Sequence, residues 1–162
     1  MKKMWIFGLV TAVMVCGCAQ APVETVNDFY EGTSAAPAYR IQLDFPKEAV
    51  QPVMENGENQ LYLCDGYELR LQTLPAGNLS GTLQDITGFP EEKLTLIHTD
   101  QDGNDRSDFV WCTAGEEGDM VGRAAVIDDG NYYYCVSVLA EESRTEALQE
   151  SWQRIFESII LG

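Results

Sequence analysis

The sequence predicts an α+β fold: an antiparallel β-sheet, largely a meander, covered by one short helix and one long C-terminal helix. Three observations carry this expectation. Asp65-Gly66 sits between two β-type runs as a two-residue hairpin turn. Further β-type runs follow one another from residue 93 to 139 with only short polar breaks. The chain then closes on apolar residues that recur at helical spacing.

Taken in order, Tyr39, Ile41, Leu43 and Phe45 alternate with Arg40, Gln42 and Asp44, the period of a strand with one apolar face, and Pro46 ends it. Asn56-Gly57 marks a turn. Strands at 61–64 and 67–74 flank Asp65-Gly66. In the second, Tyr67, Leu69 and Leu71 alternate with Glu68, Arg70 and Gln72, so one face is buried and one wet. Asn78 or Ser80 then caps a short helix carrying Leu79, Leu83 and Ile86, which Thr87-Gly88 closes. Strands are expected at 93–99, 108–114, 120–127 and 132–139. Val110, Cys112 and Ala114 oppose Phe109 and Trp111, and Val136 and Val138 oppose Cys135 and Leu139, so these strands call for cover on both sides. Ser143 and Glu146 form a capping box for a helix whose Leu148, Trp152, Ile155, Phe156 and Ile159 share one face. The result is a sheet between helices, in three layers.

This order of hairpin, short helix, four-stranded meander and long closing helix resembles the PsbP-like α/β/α sandwich over most of residues 39–161. The resemblance rests on element order. It implies an extracytoplasmic or lipid-anchored protein that serves as a binding or assembly subunit.

The N-terminus has the three parts of an export signal: basic Lys2 and Lys3, an apolar run over 4–15, and small residues before a cysteine. The run is shorter than the roughly 20 residues a spanning helix needs. Val15-Cys16-Gly17-Cys18 resembles a lipobox, in which Cys18 follows the small Gly17 and takes the lipid, whereas Cys16 follows branched Val15. The resemblance implies a signal peptide over 1–17 and a lipidated Cys18. Weak periodicity with Pro22, Gly32 and Pro37 suits a flexible tether through 38, and the remaining length is enough for a single domain over 39–162. Two acyl chains on Cys18 would hold the protein stably on the outer face of a cell membrane. An ordinary secretory signal with incidental cysteines is the alternative reading.

The chain carries 10 basic and 26 acidic residues, for a formal charge of −16, and loss of Lys2 and Lys3 would take it to −18. Such a field repels phosphate backbones and anionic headgroups, so nucleic acid is not an expected partner. Acidity also simply keeps an extracellular domain soluble.

Asp100, Asp102, Asn104 and Asp108 stand at positions one, three, five and nine of an acidic stretch, with oxygen side chains that could wrap Ca2+. The stretch resembles calcium loops of the EF-hand and FG-GAP type. It departs from them in having Asp105 where the sharp turn takes glycine and Trp111 where an EF-hand places a bidentate Glu. A solvated acidic turn between strands is the competing reading. His98 is the single histidine. It lies beside Leu94 and Leu96 with no elbow serine, which favours a hydrogen-bonded structural role over a catalytic base. Cys112 and Cys135 could bridge only if their strands are neighbours, and buried thiols are otherwise expected. Tyr133, within Tyr132-Tyr133-Tyr134, is a candidate to stack on a ligand or anchor a partner.

No catalytic constellation stands out. The leading expectation is a non-catalytic, lipid-anchored cell-envelope protein that binds an envelope protein or another ligand. A calcium-binding module and a hydrolase using carboxylates without a recognisable motif are the alternatives.

Overall fold

The structure, a computed structural model, describes residues 36–116 and 118–162. The expected signal, the candidate lipidation site Cys18 and the tether as far as residue 35 lie outside the described residues. Of what is described, the α+β class is as expected: a mostly antiparallel sheet with two α-helices.

The main sheet has seven strands in the order β2-β3-β4-β8-β7-β6-β5, every neighbouring pair antiparallel. These are β2 (Met54–Asn56), β3 (Asn59–Cys64), β4 (Tyr67–Pro75), β5 (Ile97–Gln101), β6 (Asn104–Ala114), β7 (Asp119–Asp128) and β8 (Tyr132–Glu141). Helix α1 (Leu79–Thr87) lies in the connection from β4 to the far edge strand β5, and the meander then returns until β8 pairs with β4. Helix α2 (Thr145–Glu157) follows β8. A separate ribbon joins β1 (Ile41–Gln42) to β9 (Ile160–Leu161).

Local chemistry accounts for the turns and caps. Gly66 has φ 87°, the left-handed value that lets Cys64 pair with Tyr67 across a two-residue loop. The side chain of Asn78 accepts from the Gly81 N–H at 2.9 Å to cap α1, and Gly88 closes the helix in the left-handed region.

Strand alternation divides the core in two. On one face Tyr67, Leu69, Leu71, Tyr134, Val136 and Val138 pack against Trp152, Ile155 and Phe156 of α2. On the other, Phe109, Trp111, Val126, Tyr133 and Cys135 pack against Leu83 of α1. Tyr132 and Tyr134 therefore share one face and Tyr133 takes the other.

Several expectations are corrected. The run 39–45 forms only the short β1, because its partner is β9 rather than the main sheet, although Ile41 and Leu43 still pack on the core. The region 93–99 begins as a 3-10 turn at Glu91–Lys93, and the strand starts at Ile97. No capping box forms at α2: Arg144 is its N-cap residue with no side-chain cap, and a 3-10 turn at Glu142–Arg144 leads in. The second apolar face of β6 is left open. Val110 and Cys112 are exposed, since α2 sits over β8 and its last turn meets β6 at Arg106, at the other end of the strand.

Candidate functional site

The expected calcium loop is a tight β-hairpin instead. Asp102 and Gly103 form its two-residue turn with φ of 55° and 85°, and Gln101 pairs with Asn104. Pairing continues as Asp100 with Asp105, His98 with Ser107 and Ile97 with Asp108. Directly opposed residues share a face, so Asp100 lies on one side of the sheet and Asn104 and Asp108 on the other. The Asp100 carboxylate accepts from the Gly103 N–H at 3.2 Å, within the turn. Asp108 is held by the Arg106 guanidinium in a two-pronged pair at 2.7 and 2.8 Å. The four proposed ligands are thus not brought together, and the described residues contain no cluster of three or more His, Cys, Asp or Glu suited to a metal ion.

Arg106 does structural work. Besides Asp108 it donates to the Gln101 side-chain oxygen at 2.9 Å and to the Phe156 carbonyl at 3.0 Å, tying the hairpin to the C-terminal turn of α2. Next to it, Arg123 lies 4.3 Å above the Phe156 ring, and burial pulls its guanidinium below the ordinary arginine range, with Asp108 acting in the opposite direction.

Tyr133 cannot stack on a ligand from outside. It is 4 % exposed in the α1-side core, and its hydroxyl accepts from the Gly77 N–H at 3.1 Å, fastening the loop before α1. His98 is exposed on the edge strand, with Nδ1 3.0 Å from the hydroxyl of buried Ser107 across the ladder. Cys112 and Cys135 lie on β6 and β8 with β7 between them, opposite Val121 and Val126 respectively, so no bridge can close. Cys64, Cys112 and Cys135 are free.

The site that the fold does create comes from the wet face of β4. Helix α1 covers β6, β7 and β8 but not the sheet beyond, where Met54, Leu61, Glu68, Arg70 and Gln72 line up on its side with Ser137 and Leu139 of β8. Ile86 of α1 and the ring of Trp111 wall this trough on one side. Its outer part, over Met54, Leu61, Arg70 and Gln72, is a hollow of about 250 Å³. Arg70 approaches Glu68 only at 4.0 Å with both side chains nearly half exposed, a weak contact. Among the described residues the side chains of Arg70, Gln72 and Ser137 make no hydrogen bond to one another or to other groups. The trough thus offers a guanidinium fork, an amide and a hydroxyl between apolar walls, a combination suited to a ligand with carboxylate or carbonyl acceptors.

Sequence alternation marks Glu68, Arg70 and Gln72 as a wet face, but nothing in it shows that a helix walls that face on one side only. Neither a family model nor a curated protein matches this chain.

Proposed function

We propose that this protein is a non-catalytic, lipid-anchored binding module on the outer face of a cell membrane, taking an envelope protein or peptide in the trough around Arg70. The observation that carries this reading is the half-covered sheet. Arg70, whose ionic contact with Glu68 is only at 4.0 Å, stands with Gln72 and Ser137 between apolar walls, the mix of a few polar groups and apolar lining that ligand sites use. The lipobox-like cysteine supports the anchor, the strongly acidic composition suits an extracytoplasmic surface, and Arg70 sets an accessible cation in a hollow of that surface. Helices on opposite faces of the sheet support the finer reading as a PsbP-like sandwich, whose members serve as binding or assembly subunits.

The test places a photo-crosslinking residue at Leu61, within the trough, and another at Gln84, on the exposed side of α1, in the full chain produced in cells. A discrete adduct from position 61, absent from position 84 and lost when Arg70→Glu is added, is the expected result. Retention of Cys18→Ala in the membrane fraction would refute the anchor. Absence of any adduct at position 61 would refute the trough. Turnover of a glycoside or ester that disappears on changing a single carboxylate would favour a hydrolase instead.

A further inference from the structure

We propose that the outer edge of β5 pairs with the same edge of a second copy of this chain, joining two sheets into one across a two-fold axis at Thr99. This does not depend on the trough or on the lipid anchor.

Among the described residues strand β5 ends the sheet. Edge strands are ordinarily blunted by charged side chains, Pro, bulges, extreme shortness or a covering segment, because their unpaired backbone groups invite another strand, and the one charge of β5, Asp100, meets His98 of the second copy in this register. Residues 97–101 contain no Pro and no Lys, and their pairing with β6 is continuous. The opposite edge is less inviting: β2 is three residues long.

The hairpin turn determines which backbone groups are free. A two-residue turn makes Gln101 and Asn104 a hydrogen-bonded pair, and the ladder then alternates. Thr99 and Ile97 therefore spend their N–H and C=O groups on β6, whereas those of His98 and Asp100 point away from the sheet. An antiparallel partner centred on Thr99 puts His98 opposite Asp100 of the second copy, and Asp100 opposite its His98. All of the outward groups of both residues are then hydrogen-bonded.

The same register matches the charges. Asp100, Asp105 and Asp128 stand side by side across β5, β6 and β7 on one face, a row of like charges that is unfavourable between neighbouring strands. The row stops at the open edge, and the next position in the joined sheet is the imidazole of the second copy. Around His98 the facing groups are Asp100 on its own strand and Asp105 and Ser107 on β6, with no cation among them. Ser107 engages Nδ1, and Nε2 has no partner among the described residues. An isologous contact must be self-complementary in this way. The β2 edge fails the same requirement, since its one charged residue, Glu55, would meet its own copy. Ile97, 63 % exposed, lies on the other face of the edge, where this register sets it opposite Gln101 of the second copy.

The experiment uses the full chain in whole cells, in a Cys112→Ser background with the parent as control, oxidised with copper phenanthroline and read by non-reducing electrophoresis. Thr99→Cys faces its own copy at a distance a disulfide can span. A covalent dimer from Thr99→Cys, and not from Glu55→Cys, is expected. Adding His98→Asp lowers its yield about tenfold by replacing attraction with repulsion in both symmetric pairs. The exchange His98→Asp with Asp100→His restores the yield, which also controls for folding. The proposal is overturned if Thr99→Cys dimerises no more than Glu55→Cys, if its adduct contains a different protein, or if the exchange variant does not recover.

Discussion

The indole of Trp111 on β6 lies over Gly122 on β7, directly opposite it in the ladder, and fills the space that a side chain at Gly122 would need. The pairing brings a ring that starts near the meander's edge toward Leu139 and Glu68, which meet on the next two strands. It closes the α1-side core and forms one wall of the trough at once.

Gly122→Ala should therefore destabilise the fold by about 1–3 kcal/mol, the cost of overpacking. Denaturant unfolding should show the midpoint falling with an unchanged slope. Trough binding should weaken along with it when measured on the folded protein, because the ring must move.

Asp108 pairs with Arg106 where both side chains are mostly shielded, at 21 and 13 % accessibility. Asp108→Ala leaves that guanidinium without its counter-charge and should cost about 3 kcal/mol. Because the candidate calcium ligands sit on both faces of the sheet, thermal unfolding of the unaltered chain should give the same midpoint in chelator and in millimolar Ca2+. A rise with calcium that Asp102→Ala abolishes would restore the metal-site reading.

Thr82 is 1 % exposed in α1, and its hydroxyl has no hydrogen-bond partner among the described residues. Thr82→Val keeps the shape and removes a polar group that water cannot reach. A gain of about 1 kcal/mol in equilibrium unfolding is expected.

Burial pushes the Cys135 thiol up to about 12. Burial, and then the hydrogen bond donated to Asp129 at 2.9 Å, push the Tyr134 hydroxyl up to about 12 as well. Both groups resist ionisation only in the folded state. Their contributions are thus complete below the unfolded values, roughly 8.5 for Cys and 10 for Tyr, and are lost as pH rises toward the folded ones. Stability should fall across the alkaline range between these limits, and the fall should be shallower in Tyr134→Phe. In native protein at neutral pH a thiol reagent should modify exposed Cys112 first and leave Cys135 intact until the chain unfolds.

Sequence alone determined what neighbouring residues settle among themselves. Asp65-Gly66 turns the first hairpin, Asn78 and Gly88 bound α1, and the spacing of Trp152, Ile155 and Phe156 makes α2 amphipathic, because turn dihedrals, caps and periodicity act over a few residues. Alternation likewise sets Tyr133 on the face opposite Tyr132 and Tyr134. The tertiary structure decided which faces are covered. Tyr133 became core because α1 lands above it, Arg70 stayed accessible because α1 stops short, and β1 left the main sheet because its partner lies at the other end of the chain. The acidic stretch shows the division most plainly. Spacing placed Asp100, Asp102, Asn104 and Asp108 in a plausible loop, but a two-residue turn at Asp102-Gly103 extended both flanks into paired strands, and a strand sends alternate side chains to opposite faces.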